Sequence, residues 1–277
     1  MKIIIADHEY SYKSNDEYYF ALSDYPNISQ WELRKLICMS DYEKSHERDS
    51  QIVCENDAIL KKVYQAFAEP ETVMNASVPE KITECTACKQ KGCLTEFVCH
   101  TASIENAKSI LACGKILSAI NARGKTGDEL AKEPGNAAGD PPDFFENIMF
   151  AFGNCQAGDR IVMERTLSRM PTEQDLSRDF QPGIRFYFKH NDILHHPNYI
   201  FDGFDPAKIK DEIILSEYLF ACIIPKEHEN EFRNIAPTCL LDRIFYIDND
   251  CKDIWDWSDK VYSFIVSQRN HGTEISK

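Results

Sequence analysis

The chain has 277 residues, of which 43% are hydrophobic, so it is long enough to bury the core of one large domain or of a domain with an appendage. Its formal net charge of −14 argues against a surface that coats nucleic acid broadly, because phosphate contacts require Lys and Arg. No stretch approaches the roughly 18 apolar residues of a membrane span, and residues 1–7 turn acidic too early for a signal peptide. We therefore expect a cytoplasmic protein with no membrane partner and with mostly reduced, buried cysteines.

The first 80 residues are predicted to form a small helical appendage. Residues 1–7 are typical of a β-strand, whereas residues 7–30 have an irregular, Tyr-, Asp- and Ser-rich pattern. Ser29 is a predicted N-cap. The helical spacing of apolar residues predicts two helices, over residues 31–39 and 57–67. A linker bracketed by prolines follows, so we place a boundary near residue 80 and assign residues 81–277 to the main domain.

Three cysteines stand close together just after that boundary. Cys85 and Cys88 have the two-residue spacing of a zinc knuckle, and Cys93 is an additional candidate ligand. A second pair with this spacing is absent from the sequence around them. We therefore predict no metal here and interpret the segment as an exposed loop with reduced thiols, with a zinc site as the alternative.

The most informative stretch covers residues 97–118. A short β-prone run, residues 97–99, ends in the polar pair His100 and Thr101. Ser103 is a predicted N-cap for a short helix, and Gly114 ends that helix because glycine adopts the left-handed conformation freely. The pattern places His100 and Thr101 at the mouth of a strand, where a ligand can reach them.

The remainder of the chain alternates between short apolar runs and polar segments. Residues 121–142 are rich in Gly and Pro and are interpreted either as a loop that covers a ligand or as a surface insertion. Strands are predicted over residues 147–153, 159–165, 183–189, 211–215, 218–225 and 240–247. A terminal amphipathic helix is predicted over residues 253–268. We therefore predict an α+β fold with a mostly antiparallel core between about residues 95 and 250.

The order of several short motifs is informative as a set. These motifs are His100-Thr101, then Asn106, Ser109-Ile110-Leu111, Gly114 and Ser118, the approach over residues 143–152, residues 211–215, and Ile223-Ile224-Pro225. Over roughly residues 95–226 this order resembles the ADP-ribosyltransferase superfamily, most closely its toxin-like DarT branch and more distantly the RNA 2′-phosphotransferases. The family usually has one residue between the His and the Thr and this chain has none, which leaves the direction of the His100 side chain open.

The resemblance implies a split, mostly antiparallel β core that cradles NAD in a cleft. It implies that His100 and Thr101 hold ribose and amide groups of NAD, supported by Ser118, Arg123 and Phe150. It also implies that Glu212 acts at the nicotinamide ribose. The expected function is that of an NAD-dependent mono-ADP-ribosyltransferase, a glycosyltransferase-class enzyme, with a protein or nucleic acid as acceptor.

The residue types suit this chemistry. Cleavage of the nicotinamide glycosidic bond builds positive charge on the ribose, which a carboxylate such as Glu212 can stabilise. Glu164 and Glu217 are alternative carboxylates, and Arg165 is an alternative to Arg123 for the pyrophosphate. Two other functions stay open: a non-catalytic module that binds NAD or another nucleotide, and an interaction protein of a toxin–antitoxin or phage-defence system whose acidic surface attracts a basic protein.

Overall fold

The structure is a computed structural model that describes residues 1–8, 11–14, 17–77, 96–133, 141–177, 180–204 and 207–270. The chain divides into two compact units. The first unit comprises Met1–Lys89 together with Phe201–Asp205, and the second comprises Gln90–Ile200 and Pro206–Lys277. The second unit therefore contains all six predicted site residues.

The first unit is built on a mixed four-stranded sheet. Its elements in chain order are β1 (Lys2–Ala6), β2 (Tyr12–Ser14), β3 (Glu17–Ala21), α1 (Gln30–Ser45), β4 (Gln51–Cys54) and α2 (Asp57–Ala68). The strand order is β2-β3-β1-β4, with β1 parallel to both β3 and β4. Ser29 caps α1 in a capping box with Glu32, as the sequence predicts.

The prediction of a helical N-terminal appendage that begins with one strand is incomplete, because the unit is built on a four-stranded sheet. Residues 7–30 were interpreted as irregular because they are rich in polar and tyrosine residues, yet they contain β2 and β3. In β3 the buried positions are Tyr18 and Phe20, which alternate with half-exposed residues as in a strand with one buried face. Helix α1 also runs to Ser45, six residues beyond its predicted end at residue 39.

A short segment from late in the chain packs within the first unit. Phe201 stacks on Trp31 with a ring-centroid distance of 4.9 Å, and Phe204 meets Tyr18 edge-on at 5.3 Å. Between them, Gly203 has φ +81° and lies so close to α1 that a Cβ atom there would approach the carbonyl oxygen of Lys35 to 2.2 Å. The segment therefore needs a glycine at this position.

The second unit contains the remaining helices and strands. The strands are β5 (Phe97–Ala102), β6 (Lys115–Leu117), β7 (Asn147–Met149), β8 (Ala151–Phe152), β9 (Ile184–Lys189), β10 (Tyr199–Ile200), β11 (Lys208–Lys210), β12 (Glu212–Ile214), β13 (Leu219–Pro225) and β14 (Ile244–Ile247). The helices are α3 (Ile104–Cys113), α4 (Ala119–Arg123), α5 (Gly127–Ala131), α6 (Ala157–Leu167), α7 (Glu173–Leu176), α8 (His190–Leu194), α9 (Leu215–Tyr218), α10 (Glu229–Phe232) and α11 (Ile254–Ser267). The chain is thus α+β, as predicted.

Three sheets of different size organise this unit. The largest has the order β14-β13-β9-β5-β8, and it is antiparallel except for the parallel pair β13–β14. A three-stranded sheet, β10-β11-β7, and a two-stranded ribbon, β12-β6, are both antiparallel. One face of the large sheet packs with α3 and the two smaller sheets into a single core. Core residues from these elements include Val98, Leu111, Ile116, Ile148, Phe186, Ile209 and Ile213.

A buried ion pair joins the other face of the large sheet to α6 and α11. Arg185 of β9 and Asp159 of α6 are both fully buried, and Nε of Arg185 donates to Asp159 Oδ2 at 3.0 Å. Arg185 also donates to the Ser258 hydroxyl on α11 and to the Tyr187 hydroxyl. The backbone N–H of Gly183 donates to Asp159 Oδ1 at 2.9 Å, so both carboxylate oxygens have donors.

The prediction of a strand over residues 159–165 is wrong, since this segment lies in α6. The pattern Ile-Val-Met suggested alternation, but the residues that the fold buries are Asp159 and Met163, which are four apart and share one helical face. The predicted strand over residues 240–247 is half correct, because β14 forms only after a 3₁₀ helix, Thr238–Arg243. Within the described ranges, no helix combines the length and apolar character needed to cross a membrane.

Candidate functional site

The chain passes from one sheet to another at Phe150. β7, before this residue, belongs to the three-stranded sheet, and β8, after it, pairs with β5 in the large sheet. The N–H of Phe150 donates to the carbonyl of Ala207. Hydrogen-bonded and non-hydrogen-bonded pairs alternate along antiparallel strands, so the neighbouring pair, Met149 and Lys208, is not hydrogen-bonded. The backbone N–H and C=O groups of these two residues point away from each other. The carbonyl of Met149 therefore faces outward from β11, toward the seam between the two sheets.

His100 occupies this seam. Its Nδ1 lies 3.0 Å from the carbonyl oxygen of Met149, and its ring meets that of Phe150 edge-on at 6.3 Å. Because a carbonyl can only accept, Nδ1 carries the proton and Nε2 of the neutral ring has a lone pair. Burial lowers the pKa of His100, and the charge of Arg165 lowers it further, so the imidazole is neutral at neutral pH. A neutral ring of this tautomer can accept a hydrogen bond from a sugar hydroxyl.

The structure does not bring Thr101 to the same place. Neighbouring residues of a strand point to opposite faces of the sheet. The side chain of Thr101 lies beneath α6, where a Cβ atom on Gly158 would approach its Oγ1 to 2.4 Å, and a Cβ atom on Gly183 would meet its Cγ2. Thr101 thus belongs to the face that carries the Arg185 network, whereas His100 lies on the opposite face, beside Phe150.

Arg165, the alternative to Arg123, lies exposed on the last turn of α6. Its charge contributes to the lowered pKa of His100. Arg123 ends α4 on the surface and forms an ion pair with Glu133. The predicted ligand contact Phe150 is buried in the core, where it packs against Phe188 and supports the His100 ring.

Glu212 begins the ribbon strand β12. Its neighbour Ile213 faces the core opposite Ile116, so the Glu212 side chain points to the outer face of the ribbon. There its carboxylate accepts a hydrogen bond from Lys115 Nζ at 2.8 Å, and both side chains are about two-fifths exposed, at 41% and 37%. This bond raises the pKa of Lys115. The carboxylate of Glu212 is therefore accessible to solvent, and its bond to the partly exposed Lys115 can be replaced by a bond to a ligand.

Ser118 follows β6 and its backbone is opposite Asp211, the residue before Glu212. Its backbone N–H donates to the carbonyl of Asp211 at 2.7 Å, although the two residues are far apart in sequence. Ser118 is buried, with 1% of its surface exposed, and among the described residues its hydroxyl has no hydrogen-bond partner. It precedes α4 but makes no side-chain capping bond. A buried hydroxyl without a partner costs stability, and a ligand that bonded to it would remove that cost.

Replacement of Ser118 by alanine tests whether this hydroxyl contributes to the fold. Since the buried hydroxyl makes no bond that stabilises the protein, Ser118→Ala is expected to leave the free energy of unfolding unchanged or to raise it by about 1 kcal/mol. Ser103→Ala is the matched control, because Ser103 caps α3 by accepting from the N–H of Asn106, and its loss should cost about 1 kcal/mol. Equal losses in chemical denaturation would show that Ser118 is an ordinary structural residue.

His100 and Glu212 are connected through β7, β11 and β12. His100 contacts the carbonyl of Met149, which is opposite Lys208, and Glu212 follows Lys208 by four residues along β11 and β12. At about 3.3 Å per residue, Lys208 and Glu212 are at most roughly 13 Å apart. The predicted convergence of His100, Thr101, Ser118 and Glu212 on one pocket is wrong for Thr101, whose side chain lies on the other face of the large sheet, and for the other three residues it stays a prediction.

Two residues that sequence reasoning gave no role lie next to Glu212. Lys115 pairs with the carboxylate, and Asp211 links the backbones that flank it. Lys115 had no signal of its own, and Asp211 was part of the motif over residues 211–215 but was given no task.

Of the predicted covering segment, residues 121–133 and 141–142 are described, and they include the end of α4 and all of α5. Helix α5 packs so closely on Pro142 that a Cβ atom on Gly127 would clash with its carbonyl.

Metal binding receives no support from the described part of the chain, which holds no group of three or more His, Cys, Asp or Glu side chains arranged for an ion. Cys85, Cys88 and Cys93 lie outside the described residues, so the absence of zinc stays a prediction. Nδ1 of His195 donates to the carbonyl of Asn191 at 2.7 Å, and His196 packs on Tyr218.

Comparison with known proteins gives no further assignment: no protein-family model, no curated protein and no solved structure matches this chain.

Proposed function

We propose that the chain is an NAD-dependent mono-ADP-ribosyltransferase. The observations that support this most are the neutral ring of His100 at the sheet seam and the accessible carboxylate of Glu212 at the start of the ribbon strand β12. Such a histidine can bind a ribose hydroxyl, and such a carboxylate can face a developing positive charge. In this proposal the two side chains hold the two riboses of one dinucleotide.

Each side chain has a specific task in this proposal. The bond between the nicotinamide nitrogen and the ribose C1′ breaks, and its electron pair leaves with nicotinamide. Glu212 stabilises the positive charge that remains on the ribose until an acceptor nucleophile bonds to C1′ and releases a proton. His100 holds the other ribose through its Nε2, and Arg165 is the proposed partner of the pyrophosphate. Lys115 must release Glu212 when the substrate enters.

One observation favours a second candidate, a module that binds NAD without cleaving it. The carboxylate of Glu212 already accepts a bond from Lys115 at 2.8 Å, and an ion pair that persisted with NAD bound would leave no carboxylate for catalysis. The two functions differ in one measurable step. The enzyme releases nicotinamide from bound NAD, whereas the binding module holds NAD intact.

The decisive experiment incubates the purified chain with NAD that is labelled in its adenylate half, with and without cell lysate. Release of nicotinamide together with transfer of the label to protein or nucleic acid is expected. Binding of NAD without release would support the second candidate. If calorimetry detects no NAD binding at millimolar concentration, both candidates are excluded.

A histidine substitution tests the seam. His100→Ala is expected to weaken NAD binding by about tenfold, because a single hydrogen bond to a ligand is worth on the order of 1.4 kcal/mol. The matched control is His195→Ala, since the Nδ1 of His195 also contacts a backbone carbonyl but lies in an exposed turn. Calorimetry measures the NAD affinity of each variant. An equal loss of affinity in both variants, or no loss in either, would contradict the role of His100.

A further inference from the structure

Asp211 has an unusual backbone conformation immediately before Glu212. Its φ angle is +68°, in the left-handed region that residues other than glycine seldom adopt, although Asn and Asp tolerate it best. The chain turns at this residue from β11, in the three-stranded sheet, into β12 of the ribbon. The direction in which β12 starts, and with it the direction of Glu212, therefore depends on this conformation.

Three hydrogen bonds hold Asp211 in place from three different segments. Its N–H donates to the carbonyl of Glu146 at 3.1 Å, and its carbonyl accepts from the N–H of Ser118 at 2.7 Å. Its side-chain Oδ1 accepts from Nδ2 of Asn121, on α4, at 3.3 Å. These bonds connect Asp211, and therefore the start of β12, to Ser118 after β6, to Glu146 before β7 and to Asn121 on α4.

Strained backbone that is fixed by its surroundings is common where a reactive side chain must be oriented. We infer that Asp211 is a positioning residue, whose left-handed backbone and three anchoring bonds aim the Glu212 carboxylate at the reacting ribose. The inference rests on the proposed function, because the proposed function is what gives Glu212 its role in the reaction. Asp211 itself touches no reacting atom in this arrangement.

Substitutions at Asp211 separate its backbone conformation from its side chain. Asp211→Asn keeps both the tolerance for positive φ and the Oδ1 acceptor, so turnover should stay within about threefold of the parent. Asp211→Val excludes the left-handed region, and a misplacement of Glu212 by about 1 Å should lower kcat by about 100-fold. The KM for NAD should change only a few-fold, since His100 and Arg165 are unaffected. Asp211→Ala, a milder change in the same direction, replaces Asp211→Val if that variant does not fold.

Two residues with the same backbone strain provide matched controls. Ser168, after α6, has φ +54°, and Glu47, after α1, has φ +58°. Ser168→Val and Glu47→Val introduce comparable strain without touching the junction at Asp211, so kcat should stay within about threefold of the parent. A loss of kcat in Ser168→Val as large as in Asp211→Val would overturn the inference, because backbone strain at any position would then be enough to lower kcat.

A second measurement does not depend on turnover. The pKa of Lys115, raised by its hydrogen bond to Glu212, can be followed by NMR titration of the lysine side chains. It should fall toward its ordinary value in Asp211→Val, as it should in Glu212→Gln, and should stay raised in Ser168→Val. If the parent protein releases no nicotinamide, the proposed function fails, and this titration alone decides whether Asp211 holds Glu212 in place. An unchanged Lys115 pKa in Asp211→Val would overturn the inference.

Discussion

Glu212→Gln is expected to reduce nicotinamide release by about 100- to 1,000-fold while NAD affinity stays within a few-fold of the parent. Glutamine has nearly the same shape as glutamate but lacks the negative charge that the ribose requires only in the transition state. Removal of a group that acts only there lowers kcat far more than binding. Single-turnover release of nicotinamide and calorimetric binding of NAD measure the two quantities separately.

Glu217→Gln is the matched control for this result. Glu217 lies on α9, five residues after Glu212, and it was the alternative carboxylate in the same stretch of sequence. Glu217→Gln should leave turnover unchanged if Glu212 carries the reaction. Full activity of Glu212→Gln, or a larger loss in Glu217→Gln, would show that the assignment is wrong. Neither change should unfold the protein, since exposed ion pairs such as Lys115–Glu212 contribute less than about 1 kcal/mol.

Local signals in the sequence predicted much of the second unit. The cap at Ser103, the stop at Gly114 with φ +69° and the helix that begins after Asp253 all depend on residues within one turn of each other. Strands β9 and β13 were also predicted. Their residues are buried on both faces of the sheet, so each strand is a nearly continuous apolar run in the sequence.

The geometry of the candidate site depends on contacts that no local pattern contains. The direction of His100 is set by the carbonyl of Met149, 49 residues away, and by the transfer of the chain between sheets at Phe150. The pairing of Ser118 with Asp211 likewise joins distant segments. The motifs predicted His100 and Thr101 at the mouth of a strand, whereas both lie inside β5 and therefore face opposite sides of the sheet.

The errors in the N-terminal unit and in α6 have a related cause. Short elements of three to five residues, such as β2 and β3, are too short to show a clear period. In α6 the residue that anchors the helix is a buried aspartate, which a hydrophobicity pattern counts as exposed. Its partner Arg185 lies in β9 and is also fully buried, although a hydrophobicity pattern counts arginine as exposed. A buried charge pair is invisible until both partners are placed.

That pair supports the second prediction of large effect, which concerns stability. Arg185→Met should lower the free energy of unfolding by about 3–5 kcal/mol, because it leaves the fully buried Asp159 carboxylate without its cation. The double variant Arg185→Met with Asp159→Asn should lose less, since it leaves no buried charge and keeps an amide oxygen that accepts from the N–H of Gly183. Urea denaturation followed by tryptophan fluorescence and by circular dichroism measures these differences.

Arg169→Met provides the comparison with a pair whose cation is exposed, although its carboxylate is buried. Arg169 binds both oxygens of Asp175, at 2.6 and 3.0 Å, but its side chain is 51% exposed, so its loss should cost only about 1 kcal/mol. Equal losses in Arg169→Met and Arg185→Met, or a double variant no more stable than Arg185→Met, would mean that burial does not dominate the energetics of the Arg185 pair. If burial does dominate, the pair fixes α6 against β9, and it thereby also fixes the helix on which Arg165 approaches His100.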